Sequence, residues 1–293
     1  MASDSSYDIA AWQVEQYSSN VLMLAQQKKS KLRSTVYTDG TVVGRSVYFD
    51  ALGQSEAQRN LPRNSDTVLA NPDHQRRKAE MVDYDWAKLM DPHDDVRTIA
   101  DATSKYSMGG AAALGRGIDD EIITALGASA ASGQAGASST ALPAAQKIVH
   151  GSVGLTYDKV VEAVEILNLA DVDEDEEKFA VVAPKQISNL LKTIEATSSD
   201  YSTVMAIQAG SFQGTWMGFR WIMSNRLALS GTARLCYCYT SQAIGFGPTA
   251  QELTVDIGPR RDKRMATQVY VRGSFGAVRR DDKRVVQIAC TES

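Results

Sequence analysis

Residues 91–127 constrain this chain more than any other stretch. Asp91 and Pro92 open it, with Asp94 and Asp95 close behind. An Asp side chain accepts the orphan N–H groups of a first helical turn, Pro is pre-set for the first helical position, and acids suit the positive end of the dipole. Val96, Ile99, Thr103, Tyr106, Gly110, Ala113, Leu114, Gly117, Ile118 and Leu126 then recur at a three-or-four spacing, which marks one face of a helix. Gly127 and the Ala/Gly/Ser run beyond it supply the stop. A continuous helix here has about 35 residues and is roughly 50 Å long, about three times an average helix. Such an element outreaches a compact domain and predicts a strut along something wider.

Gly109, Gly110, Gly115 and Gly117 fall in the middle of it, each costing about 1 kcal/mol relative to Ala in a helix interior. Two readings follow. Either the helix breaks there into two pieces, or one long helix bends, or lets another backbone come close, at these glycines.

A strut needs a broad core to lie on, and 293 residues with 43% hydrophobic content supply one, as one domain or two. The net charge of -4 argues against a dedicated nucleic-acid binder, whose domain is usually strongly basic. No uninterrupted apolar run approaches the ~18 residues of a membrane span. Met1, Ala2, Ser3 and Asp4 lack the basic-then-apolar layout of a signal peptide. Cys236 and Cys238 lie two apart in a strand-like alternation that predicts both on one face. A zinc site needs about four ligands, and no second Cys/His cluster stands near in sequence, so a buried reduced thiol pair in a reducing cytoplasm is expected.

Residues 1–33 form a polar segment with a short helical patch that includes Trp12, ending in Lys28, Lys29, Lys31 and Arg33. It is either a loose tail or an arm that folds against a partner. Residues 42–49 and 76–86 read as strands. Between them, residues 51–73 are rich in Gln, Asn, Pro, Ser and Arg. A polar loop of that length counts against a compact domain; two extended strands with a projecting polar tip remove the difficulty. An isolated hairpin is barely stable in water, so this one implies a neighbouring molecule.

After the long helix, residues 127–146 are low-complexity and read as a mobile connector or loop. A short strand is expected within 147–155, a helix over 156–169, a buried strand over 178–183, and a helix starting at Pro184. Strands are expected at 215–223, 233–239, 268–272, 277–279 and 285–290. The fold class is α+β.

Motifs for chemistry do not hold up. Asp171, Asp173 and Asp175 match the start of a calcium loop, but Glu176 replaces its glycine and Val182 its bidentate Glu. Gly273, Ser274, Phe275, Gly276 and Val278 match half of a kinase glycine-rich loop, with no room downstream for the rest; a tight turn between two strands is the expected use of these glycines. Gly110–Gly115 has phosphate-loop spacing without the Lys-Ser/Thr pair. His74, His93 and His150 are scattered. No catalytic, cofactor or metal site emerges.

Charge is unevenly placed. Arg45, Arg59, Arg63, Arg76 and Arg77 cluster in the proposed hairpin, Arg260, Arg261, Lys263 and Arg264 form a second basic group, and residues 171–177 are acidic. Ordinary solvation is one reading. Complementarity between copies, a basic hairpin against a neighbour's acidic surface, is the other.

The element order is an arm, a long hairpin, a long helix, an α+β core and a strand-rich end. With the phrases Phe179 to Gln186, Ser198 to Tyr201, Trp216 to Trp221 and Gln268 to Val278, it resembles the major capsid proteins of tailed bacteriophages, the Hong Kong 97 fold. The resemblance implies an N-arm at 1–33, an extended E-loop at 34–90, a spine helix and connector of the P-domain at 91–154, an A-domain at 155–250, and return strands, mostly of the P-domain, at 251–293. It implies a non-enzymatic shell subunit without cofactors, closing head-to-tail into pentamers and hexamers around double-stranded DNA touched non-specifically. A portal protein at one vertex, no membrane, and assembly in the host bacterial cytoplasm into a virion are further implications. Trp12, Arg45, Arg59, Arg63, Arg76, Arg77, Asp173 and Glu174 are the candidate inter-subunit contacts, and Gly109, Gly110, Gly115 and Gly117 the candidate bend.

Two departures from the founding pattern matter. The chain has no space for a fused scaffolding domain before the arm, so a separate scaffolding protein or none is expected. The founding member cross-links through an E-loop lysine, whereas no lysine lies between Lys31 and Lys78 here, so a non-covalent shell is expected. Encapsulin-type compartments share the fold and are the alternative; an enzyme with an unrecognised site and a stand-alone nucleic-acid binder are more distant ones.

Overall fold

The computed structural model describes residues 26–57, 59, 63–64, 66–67, 69–91, 102–173, 175–195, 215–250 and 253–292. In chain order, β1 (Tyr37–Thr38), β2 (Ser46–Leu52), β3 (His74–Glu80) and β4 (Val82–Met90) precede α1 (Ala102–Gly127). Then come β5 (Ala130–Ser132), β6 (Ser138–Thr140), β7 (Lys147–Ile148), α2 (Tyr157–Leu169), β8 (Lys178–Val182) and α3 (Pro184–Glu195). The remaining strands are β9 (Thr215–Trp216), β10 (Phe219–Met223), β11 (Leu229–Ser230), β12 (Ala233–Thr240), β13 (Ile244–Pro248), β14 (Thr254–Arg260), β15 (Ala266–Arg279) and β16 (Val285–Thr291).

They form three sheets. A seven-stranded mixed sheet runs β7-β16-β12-β8-β10-β9 with β11 on β12. Its central strand β8 is buried from Phe179 to Val182, as a continuous apolar run between two covered faces requires. Pro184 then starts α3 at the position where a missing N–H is harmless. A five-stranded sheet is built on β15, which pairs with β4 along one side and with β14 and then β13 along the other. A four-stranded sheet, β2-β3-β5-β6, carries the hairpin.

The helix α1 joins these parts. Leu114 packs against Val269 and Val271 of β15. Ile118, Ile122, Ile123 and Leu126 enter the main core with Phe179, Val181, Tyr239 and Phe246. Its predicted start at Asp91 and Pro92 falls partly on residues 92–101, outside the described residues. Its end at Gly127 agrees with the sequence.

The helix is continuous through its four glycines, so the two-piece reading is overturned. Three of the four make room for a neighbour. A Cβ on Gly110 would stand 2.6 Å from Trp86 and Val271 atoms, one on Gly115 3.0 Å from the Ser30 nitrogen, and one on Gly117 3.3 Å from the Tyr84 ring, whereas Gly109 faces open space. Adjacent substitutions should therefore act with opposite signs. Gly109→Ala is expected to stabilise by about 0.5–1 kcal/mol through helix propensity, and Gly110→Ala to destabilise by about 1–3 kcal/mol through overpacking. Thermal unfolding of the two variants checks this; shifts of the same sign would contradict it.

Three further expectations need correction. Residues 76–86 are not one strand: β3 and β4 lie in different sheets and the chain switches at Met81, whose N–H donates to the Arg45 carbonyl at 3.0 Å. Residues 127–146 are not a loose connector. They fold as the hairpin β5–β6 and a 3-10 turn, with Ser132 and Ala131 registered on Arg77 and Lys78 of β3. Ala and Ser are weak strand formers, and the open edge of β3 provides the partner that composition did not reveal. Lastly, Gly273 and Gly276 make no turn; they sit inside the uninterrupted strand β15.

Candidate assembly elements

The β2–β3 hairpin pairs in register from Ser46↔Glu80 to Leu52↔His74. Beyond it the Gly53 N–H still meets the Asp73 carbonyl at 2.6 Å, and the described tip residues are almost all exposed, Leu69 at 86%. Arg45, Arg59 and Arg63 are exposed. Arg76 faces solvent too, yet it forks onto Asp50 (2.6 and 3.0 Å) and lies over the Tyr48 ring. That hydrogen bond holds the Asp50 carboxyl below its usual value.

Arg77 differs from this group and corrects its assignment as a surface contact. It is buried at 5% exposure, and its Nη2 donates to Asp282 at 2.8 Å. The same carboxylate accepts from Arg279 Nε at 2.5 Å. Arg279 is fully buried, and its other nitrogens donate to the carbonyls of Leu126 (3.2 Å), Ala128 (2.6 Å) and Thr140 (3.0 Å). One cation therefore caps the C-terminal end of α1, where helix carbonyls lack partners, and ties down the β5–β6 hairpin. Through Asp282 it also reaches the base of the long hairpin. Arg77 Nε and Nη1 are buried with no partner among the described residues.

A second junction lies at mid-helix, on three consecutive acids of α1 that point about 100° apart. Asp119 is fully buried and accepts from Gln27 Nε2, Ser30 Oγ (2.5 Å), Lys31 N (3.1 Å) and Leu32 N (3.1 Å). Asp120 pairs with Arg226, in the turn after β10. Glu121 accepts from Tyr84 OH of β4 at 2.6 Å, and burial together with this bond pushes the Tyr84 phenol up. Neighbouring residues of one helix thus hold residues 27–32, the seven-stranded sheet and the five-stranded sheet. Sequence reasoning missed this site. The readable signal was an acid on the apolar stripe, since Asp119 lies four residues after Gly115 and three before Ile122.

The other candidates are dispersed. Trp12 and Glu174 lie outside the described residues. Asp173 is exposed, and within the same acidic stretch Glu176 pairs with Arg284. In the second basic group Arg260 pairs with Asp262, and Arg261, Lys263 and Arg264 are exposed at the turn between β14 and β15. Cys236 and Cys238 are buried and free as expected, and Cys290 on the adjacent β16 is a third buried free thiol. The neighbouring Cys290 thiol and burial push the Cys236 thiol up. Among the described residues no three His, Cys, Asp or Glu side chains gather as for a metal, and no helix is long and apolar enough to cross a membrane.

Comparisons with known proteins agree with this architecture. A comparison with curated proteins returned no match. Among solved structures, the capsid of cyanophage P-SCSP1u is similar at 14% identity and a TM-score of 0.74, covering 97% of this chain and 95% of the other. The capsid of Ralstonia phage GP4 gives 14% and 0.73, with 96% of each chain covered. The capsid of a native GTA particle gives 11% and 0.69 over 100% of both. At such identities these likenesses show the fold, which is the Hong Kong 97-like capsid fold. The family model described as "Phage capsid protein" matches residues 9–292, and the chain belongs to that family.

Proposed function

We propose that this capsid shell protein assembles into pentamers and hexamers of an icosahedral phage head that encloses double-stranded DNA. The observation that carries the reading is the β2–β3 hairpin, with a polar tip whose described residues are almost all exposed. A hairpin of this kind finds stability on a neighbour, and head-to-tail contacts that repeat around an axis close into rings. In this reading residues 1–33 are the arm, 34–90 the E-loop, 91–154 the spine helix and connector, 155–250 the axial domain, and 251–293 return strands. Arg45, Arg59 and Arg63 meet a neighbour's acidic turn at Asp171, Asp173 and Asp175, where complementary charge sets register more than affinity. A separate scaffolding protein and a portal at one vertex complete a head assembled in the bacterial cytoplasm. The shell is held without covalent cross-links from the hairpin tip.

Deletion of residues 54–71 tests this directly. The variant is expected to keep a cooperative unfolding transition close to that of the parent and to form no closed particles in negative stain, because the energy removed lies between subunits. Normal particles would overturn the hairpin's role.

A further inference from the structure

We propose that the Asp119 carboxylate is a latch that sets where the N-terminal arm ends and the rigid body of the subunit begins. Between Gln27 and Leu32 the chain belongs to no helix or strand. Its donors instead converge on one group: the side chains of Gln27 and Ser30 and the main-chain N–H groups of Lys31 and Leu32 all reach Asp119. An ionised carboxylate offers about four acceptor positions, and these donors fill them. Each bond is charge-assisted and so about twice as strong as a neutral one.

The helix surface is shaped to receive this segment. Gly115 leaves space for the Ser30 backbone, and Arg116 Nη1 donates to the Gln27 carbonyl at 2.9 Å. Past the latch the chain is fixed by other means. Leu32 is fully buried in the main core, Lys31 Nζ donates to the Met223 carbonyl at 2.8 Å, Thr35 Oγ1 and Tyr239 OH are 2.6 Å apart, and β1 pairs with β13.

The latch favours the docked state strongly. Were residues 27–32 to lift off, Asp119 would remain as a buried charge without donors, which is far more costly than the loss of the bonds alone. Residues 27–32 are thereby held on the helix, and the anchored segment begins beside Gly115. Without the charge, the next fixed points are the buried Leu32 side chain and the Thr35–Tyr239 contact, so the start of the anchored segment shifts by about five residues along the chain. The proposal goes beyond the shell reading and depends on it only for what the arm serves.

Hydrogen exchange on the full-length chain, compared in the same assembly state, tests it. In Asp119→Asn, which keeps the shape but turns an NH2 toward the donors, the amides of Lys31 and Leu32 are expected to exchange at least about 10-fold faster. Amides of Phe179 to Val182 in the central strand should stay within about twofold of the parent. A double variant, Gln27→Ala with Ser30→Ala, removes donors without touching the helix and should accelerate the same two amides. Unchanged exchange of Lys31 and Leu32 in both variants would overturn the latch. So would equal acceleration of the central strand, which would make Asp119 a part of global stability. The readout lies within one subunit, so it is independent of the tip deletion that tests shell assembly.

Discussion

Replacing Arg279 by methionine is expected to destabilise the subunit by about 3–5 kcal/mol, the range for breaking a buried charged pair. For a chain of this size that corresponds to a melting point lower by roughly 5–15 °C. The reason is the number of groups left behind. Methionine fills much of the volume but strands the carbonyls of Leu126, Ala128 and Thr140, and removes one of the two donors on Asp282. Arg77→Met makes the contrast. Among the described residues Arg77 gives a single bond, to Asp282, and carries two buried nitrogens without partners, so part of its burial already opposes folding. Asp282 keeps Arg279 in that variant, and the expected loss is about half as large or less. Thermal scans of the unassembled subunits compare them. A shift below about 2 °C for Arg279→Met, or a larger one for Arg77→Met, would show that the junction is not centred on Arg279.

The local parts of this architecture were legible because their signals are local. Periodicity and a terminal Gly127 placed the end of α1, and an apolar run followed by Pro184 placed β8 and α3 within a residue or two. What could not be read depends on elements far apart in the chain. Arg77, Arg279 and Asp282 come together across about two hundred residues, and nothing about Arg77 separates it from Arg76 except the alternation that turns one inward and the other to water. The arm latch joins residues 27–32 to Asp119, so its only trace in sequence is an acid on an apolar stripe. Residues 127–146 carry weak strand formers, and they became strands because β3 offered an edge. Glycine misled most. In β15 it reads as a breaker, whereas in the folded chain it marks the place where a second backbone passes.

That crossing leads to the other large effect. Gly276→Ala is expected to cost about 3 kcal/mol, the upper end of the overpacking range, because an added Cβ would overlap the Glu80 carbonyl oxygen and stand 3.5 Å from the Met81 Cα. These atoms are main chain at the switch from β3 to β4. No rotamer change relieves the clash, and either β15 or the root of the hairpin must shift. The paired strands run seven residues outward from that root, about 23 Å at a strand's rise per residue. A tilt of about 5° at the switch therefore carries the far end of the ladder by about 2 Å, comparable to the tolerance of a well-fitted interface. Gly258→Ala in β14 is the control, since its Cβ would meet nothing within 4 Å and it is expected to stabilise by about 0.4–1 kcal/mol. Unfolding of the two subunits should separate them by more than about 3 kcal/mol, and Gly276→Ala should give few or misshapen particles even at temperatures where the subunit is folded. Regular particles from Gly276→Ala, together with parental stability, would mean that β15 yields at this point and that the hairpin's direction is set elsewhere.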